Sequence, residues 1–369
     1  TFTRDSVGTF TADMGIVRYA SNNVPRFDHD PTTGESLGLL IEQSSTNLFL
    51  HGEDFTASYW TKNGGGNPAT TVTADQAAAP DGTMTADYID YTTATGNSQN
   101  IERTFDSSPA GKTYTASVFI KGTAGQTINL TLDGNGVNGS ASQHTLNGSW
   151  QRFSITRAYP GGHTQAAIFR FGCRNLNHPS TGTATQIYAW GAQLEQIAFS
   201  TSYIPSSSTG TVSRGQDSAK ITGINLTDFY NQPEGTIFAD YKVIQSDPDI
   251  FYLSNGQSSK RIGLYEAGTS QTRFLIGNSG TVADTTDSAG TTVGDNIKSA
   301  GAYKLNDIVA AKNGVISSTD NSATIPDGID RAYIGGYYEG TAEGVLGLRR
   351  LSYYNKRLPN AQLQGLTQQ

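Results

Sequence analysis

The sequence predicts an all-β chain: two tandem antiparallel β-sandwiches behind an extended N-terminal lead-in. Three observations carry this. Charged residues make up only 15% of the 369 residues, too few for the charged faces of amphipathic helices. Short segments alternate apolar and polar side chains at period two, as half-buried strands require. Clusters such as "NGGGNP", "DGNGVNGS" and "LNGSW" separate those segments and supply turn residues that tolerate positive φ. With 18 tyrosines and 15 phenylalanines the chain has ample apolar area to bury, which argues against disorder.

Residues 1–45 read as a lead-in of short extended pieces broken by Gly and Pro. Strands this short cannot bury a core alone and are expected to pack on the domain that follows. Residues 46–205 read as a jelly-roll sandwich. Tyr114, Ala116, Val118 and Ile120 share one strand face, and Ile128, Leu130 and Leu132 another. Phe153 and Ile155 continue the pattern, as do Ala167, Phe169, Phe171 and Cys173 with Arg170 opposite. "TQIYAWGAQLEQ" reads as a closing strand, but large residues on both faces leave its orientation open. Residues 206–216 form a Ser-, Thr- and Gly-rich linker. Strands resume over 217–369, from "EGTIFADYKV" to "GVLGLRRLSYYNKRL", as a second sandwich closed by a short helix in "NAQLQGLTQQ".

The net charge of -7, with no run of Lys or Arg, excludes a phosphate-tracking surface and so a nucleic-acid partner. No apolar stretch approaches the roughly 20 residues of a membrane-spanning helix, so no membrane insertion is expected. Cys173 is the single cysteine; it excludes an intrachain disulfide and agrees with assembly in a reducing cytosol. A first residue of Thr rather than Met leads us to expect processing, trimming or a longer precursor.

Catalytic constellations are absent from the sequence pattern. Glycoside hydrolysis needs two carboxylates roughly 5–9.5 Å apart, and on one strand these would stand as Glu-x-Asp-x-Glu or Glu-x-Asp-x-x-Glu. Neither string occurs; Glu339 and Glu343 in "YYEGTAEGV" read as solvated loop acids. Gly-x-Ser-x-Gly is missing, and His29, His51, His144, His163 and His178 have no metal-ligand spacing. Cys173, in an apolar strand, reads as a buried inert thiol. The expectation is a protein that is not an enzyme.

Sugars are held by aromatic faces against C–H surfaces and by planar polar groups on hydroxyls. Trp60, Trp150 and Trp190 lie in framework strings and read as core or rim. Lys121, Asn129, Asp133 and Arg170 stand opposite the apolar stripes, where they line either a concave sugar-binding face or a plain solvated one. Tyr337, Tyr338 and Glu339, beside glycines in "GGYYEGTAEG", offer a contact surface for sugar or for a neighbouring subunit, or one tyrosine is buried at a strand end.

Three strings carry a family resemblance: "NVPRFDHDPTTGESLGLLIEQSSTNLFLHGEDF" (23–55), "AWGAQLEQIAFSTSYIPSSSTGTVSRGQD" (189–217) and "GVLGLRRLSYYNKRLPNAQLQGLTQQ" (344–369). Together they resemble bacteriophage virion structural proteins of the tail-fibre type. In these a carbohydrate-binding-module-like jelly roll precedes a concanavalin A/laminin G-like sandwich. The resemblance implies a non-catalytic protein of the particle exterior, a tail fibre, adhesin or capsid decoration assembled in the host cytoplasm. Its partners would be other virion proteins and host-surface glycans, and its state a homo-oligomer, by preference a trimer. Jelly-roll modules of this kind often hold one structural Ca²⁺; Glu53, Asp54 and Glu195 could be its ligands here, with ordinary hydrogen bonding as the alternative. A polysaccharide depolymerase on the same folds and a bacterial cell-surface adhesin are the alternative functions.

Overall fold

The computed structural model describes residues 1–63, 70–92, 99–134, 137–174, 181–245, 247–267, 271–278, 281–286, 290–337 and 345–369. The chain forms two compact units. One comprises Ser45–Arg214 with Ile16–Arg18; the other comprises Thr1–Gly15, Tyr19–Ser44 and Gly215–Gln369. Both are antiparallel sandwiches, as the alternation predicts.

In the 45–214 unit, one five-stranded sheet runs Val137–Thr145, Thr127–Gly134, Ala167–Arg174, Gln99–Asp106, Thr61–Asn63. The other runs Gln151–Ala158, Thr113–Gly122, Gln186–Glu195, Ala86–Asp90, Thr71–Ala77. The apolar stripes read from the sequence meet between them: Val118, Ile120, Ile128, Leu130, Leu132, Ile155, Phe169 and Phe171 share one core. Phe49, Phe55 and Trp60 complete it, with Trp60 edge-on to Phe49 at 5.1 Å and its indole N–H donated to the His51 carbonyl at 2.8 Å. Cys173 is buried among them. Residues 206–216 are not wholly a linker, since Val212–Arg214 pairs with Ser45–Asn47 and closes this unit.

The closing strand is bulged, which explains its ambiguous pattern. Phe119 pairs with Trp190 but Ser117 pairs with Gln193, so one extra residue is accommodated on the closing strand. Before the bulge Ile187 and Ala189 face the core; after it Ala192 and Leu194 do. Gly191 takes φ +65°, and a Cβ there would sit 3.1 Å from both the Phe119 and Tyr203 rings. Trp190 is thereby turned to the opposite face, where it packs with Val17, Ala79, Ala86 and Tyr203.

The other unit has two seven-stranded sheets. One runs Phe2–Thr3, Ser218–Thr222, Arg331–Ile334, Asp249–Ser254, Lys260–Ala267, Gln271–Asn278, Thr281–Thr286. The second runs Val315–Ile316, Asp307–Lys312, Asn296–Lys304, Glu234–Val243, Val345–Tyr354, Ser36–Glu42, Arg26–His29. The C-terminal helix, Asn360–Thr367, buries Leu363 against Phe238, Val309 and Leu358.

The lead-in departs from expectation. Most of it belongs with residues 215–369 and not with the sandwich that follows it in sequence. Ser36–Glu42 pairs with Val345–Tyr354, and Phe2–Thr3 with Ser218–Thr222. The physical reason is a buried ion network. Asp217 accepts from Arg4 at 3.1 Å, from Arg26 and from the Glu42 amide at 2.9 Å, while Arg26 also pairs with Glu42 at 2.7 Å. Arg4 donates further to the carbonyls of Ser6, Ala20, Ser21 and Val24, so its charge is spread over carbonyls that also need a donor.

Two outcomes are expected. Replacing Asp217 with Ala removes the carboxylate that both buried guanidiniums share, and should destabilise this unit by about 3–5 kcal/mol in urea unfolding; an unchanged midpoint contradicts the network's role. Near it, burial first, then the Glu42 charge, pushes Asp28 up to about 6 against the accepted Thr11 amide bond. The folded state therefore holds this proton more tightly than the unfolded chain. Asp28 should cost stability as pH rises from about 4 to 6, with the full loss present above. Asp28→Asn should flatten that part of the pH–stability curve, and parallel wild-type and variant curves would refute it.

Candidate functional site

Strand pleat dictates a polar surface wherever an apolar stripe fills the core. Along Thr127–Gly134, Ile128, Leu130 and Leu132 point inward, leaving Asn129, Thr131 and Asp133 on the opposite face. Along Ala167–Arg174, Arg170 takes that face between Phe169 and Phe171. Along Gln99–Asp106, Ile101 faces the core, so Asn100 and Glu102 join them.

Register assembles these residues into rows. Gln143 stands opposite Asn129, Asn129 opposite Gly172, and Gly172 opposite Asn100. The next row is Ala141, Thr131, Arg170, Glu102 and Thr61. Gly172 is required in the first row, because a Cβ would meet the Gln99 carbonyl at 2.2 Å. Arg170 is the hub. Its Nε donates to Glu102 at 2.6 Å and its Nη1 to Asp133. Gln143 donates its side-chain amide to Asn129 Oδ1 at 3.1 Å, and Asn129 Nδ2 donates to the Cys173 backbone carbonyl. Asn100, Asn129, Thr131, Arg170 and Gly172 are buried and Glu102 is half-buried, whereas Gln143, Ala141 and Thr61 on the flanking strands are exposed. Among the described residues, the buried Thr131 hydroxyl has no hydrogen-bond partner. The arrangement is a polar floor with planar amides and a guanidinium held in fixed orientation, suited to hydroxyl recognition. Both carboxylates are engaged by Arg170, so neither stands ready to protonate a glycosidic oxygen.

Of the sequence-predicted residues, Asn129, Asp133 and Arg170 come together here. Lys121 does not, because its strand, Thr113–Gly122, belongs to the other sheet. Tyr337 lies in the other unit, half-buried, with its hydroxyl accepting from Arg261 at 3.2 Å and its ring edge-on to Tyr252 at 5.3 Å. Tyr338 and Glu339 lie outside the described residues, as do Glu343 and His178. Sequence reasoning missed Asn100, Glu102, Thr131 and Gln143. Thr131 was available as the residue between Asn129 and Asp133. The others needed strand register.

The residues expected at a calcium site are divided. Glu53 and Asp54 line a cavity of about 390 Å³ with Asp75 and Asp87. Glu195 is elsewhere in function, its carboxylate taken by the Ser45 hydroxyl and by the Thr201 amide and hydroxyl. The cavity's acids are also occupied. Asp87 accepts the Phe55 and Asp75 amides, Asp54 accepts Thr56 and Ala57 amides, and Glu53 accepts the Tyr203 hydroxyl. Burial raises Glu53 and pushes Asp87 up to about 6, reinforced for Asp87 by the charges of Asp54 and Asp75. Among the described residues no group of three or more His, Cys, Asp or Glu side chains is arranged to hold a metal. The donor set as it stands fits hydrogen bonding rather than a closed calcium shell. Trp60 and Trp190 are buried, and Trp150 donates its indole N–H to the Ala78 carbonyl at 3.0 Å.

Residues 45–175 match the family described as "Carbohydrate binding domain". No curated protein sequence matches the chain. Among solved structures, the chain is similar to the CBM40 of the Ruminococcus gnavus IT-sialidase bound to alpha2,3 sialyllactose, at 18% identity, over 37% of this chain and 84% of that one, TM-score 0.32. It is also similar to domain 4 of AbnA, a GH43 extracellular arabinanase from Geobacillus stearothermophilus, in complex with arabinotriose (16% identity, 46% of this chain and 83% of that one, TM-score 0.34). A third likeness, to a protein whose structure is titled "CBM4 structure and function", has 22% identity over 37% of this chain and 86% of that one, TM-score 0.28. The family match thus falls within the 45–214 sandwich.

Proposed function

We propose that this chain is a non-catalytic glycan-binding protein of a bacteriophage particle's exterior, a tail fibre, adhesin or capsid decoration. In this reading the polar face of the sheet containing Thr127–Gly134 takes the glycan. The observation that carries it is that buried Arg170 and Asn129 hold two accessible groups on this face, the half-buried Glu102 carboxylate and the exposed Gln143 amide, in fixed orientation. Planar donors and acceptors on a rigid sheet recognise sugar hydroxyls without moving, which limits the ordering cost of binding. The match of residues 45–175 supports the ligand class. The virion part rests on the three resembling sequence strings alone. Weak single sites would be offset by copy number, since linked sites raise avidity by roughly 10²–10⁴, so a homo-oligomer, by preference a trimer, belongs to the proposal.

Host polysaccharide in affinity electrophoresis should retard the protein without releasing new reducing ends; release would favour a depolymerase. Gln143→Ala, at an exposed position, should weaken retardation about tenfold while lowering the melting temperature only slightly through the lost bond to Asn129. Arg170→Ala should abolish binding but also destabilise the sheet, because it leaves Asp133 buried without its cation. Undiminished binding by Gln143→Ala would move the site elsewhere. Gold-labelled antibody should decorate intact particles at one appendage; undecorated particles would remove the virion part.

A further inference from the structure

We propose that the opposite sheet of the same sandwich carries a second saccharide site, one that takes a hexuronate. The proposal goes beyond the polar face and stands without it. Ile89, Ile120 and Ile187 fill the core, so the pleat sends Tyr88, Lys121 and Tyr188 to the outer face of their sheet. Register places Lys121 opposite Tyr188 and Tyr188 opposite Tyr88, one row across three adjacent strands. The tyrosine rings lie 5.5 Å apart with planes inclined by 52°.

Cross-strand tyrosines stabilise a sheet, and that alone would account for the pair. Two further observations point to a ligand. A cavity of about 620 Å³ opens over these residues, with the amides of Gln76 and Gln186 also in its lining. Its size suits a small saccharide. Trp190, Val17, Ala79 and Tyr203 cover another part of this face, and the cavity lies outside that cluster.

The second observation is charge. Lys121 is the only charged residue among the described residues lining the cavity, in a chain of net charge -7. Among the described residues it has no ion-pair partner. The nearby Asp90 carboxylate is engaged by the Thr92 amide and hydroxyl and by Gln186. Aromatic faces take the C–H surface of a pyranose, and an unneutralised ammonium at the end of the row takes an anion at its ring edge. A hexuronate has both features, a pyranose ring with a carboxylate projecting from its edge.

The test is a titration of the tyrosine-labelled full chain with glucuronate, galacturonate and glucose, followed by NMR at millimolar concentrations. Tyr88 and Tyr188 signals should shift with at least one uronate, more weakly with glucose, and the effect should fall with added salt. Lys121→Gln should weaken uronate binding about tenfold and leave glucose unaffected. Tyr188→Ala should abolish the Tyr88 shift, and Tyr188→Phe, which keeps the ring and the packing, should retain it. Absence of shifts with both uronates overturns the proposal, as does a Tyr88 shift that survives Tyr188→Ala. Gln143→Ala should leave all these signals unchanged, so failure of the polar face and failure of this site are read separately.

Discussion

The two-residue pleat governs everything the 45–214 sandwich can do. Each strand that commits Ile128, Leu130 and Leu132 to the core must present Asn129, Thr131 and Asp133 on its other side. Arg170 shows the consequence most sharply. Flanked by two core phenylalanines, it finds its counter-charges on neighbouring strands, Glu102 directly opposite on one side and Asp133 diagonally across on the other. Satisfied in this way, a buried guanidinium becomes a rigid fixture rather than a liability. The same rule turns Tyr88, Tyr188 and Lys121 to the far side of the second sheet.

How much of this was legible in the sequence follows from the range of each signal. The alternating stripes are local, and they located the strands, the core and three residues of the polar floor. Partnership across strands is not local. Asn100, Glu102 and Gln143 became visible only through register, and Lys121 was grouped with residues that lie on another sheet. The closing strand resisted orientation because its bulge shifts the alternation by one residue at Gly191. Glu195 looked like a metal ligand by position, but hydroxyls and an amide within hydrogen-bond reach take its carboxylate.

The lead-in misled for a different reason. Proximity in sequence suggested that residues 1–45 would pack on the next domain, and for most connections such a guess succeeds. Here a buried carboxylate at Asp217 captures Arg4 and Arg26, and the sheet containing Val345–Tyr354 takes up Ser36–Glu42. Burying two arginines is tolerable only where acids and carbonyls surround them, and residues on both sides of the intervening unit provide those groups.

That interleaving gives the polypeptide a built-in order of assembly. Residues 45–214 form a contiguous insertion with its own core, so they can fold on the ribosome as soon as they emerge. Apart from Ile16–Arg18, which join that unit, the residues before Ser45 have no such option. Phe2–Thr3 waits for Ser218–Thr222 and Ser36–Glu42 for Val345–Tyr354, so these strands remain uncommitted until the chain beyond residue 214 is made.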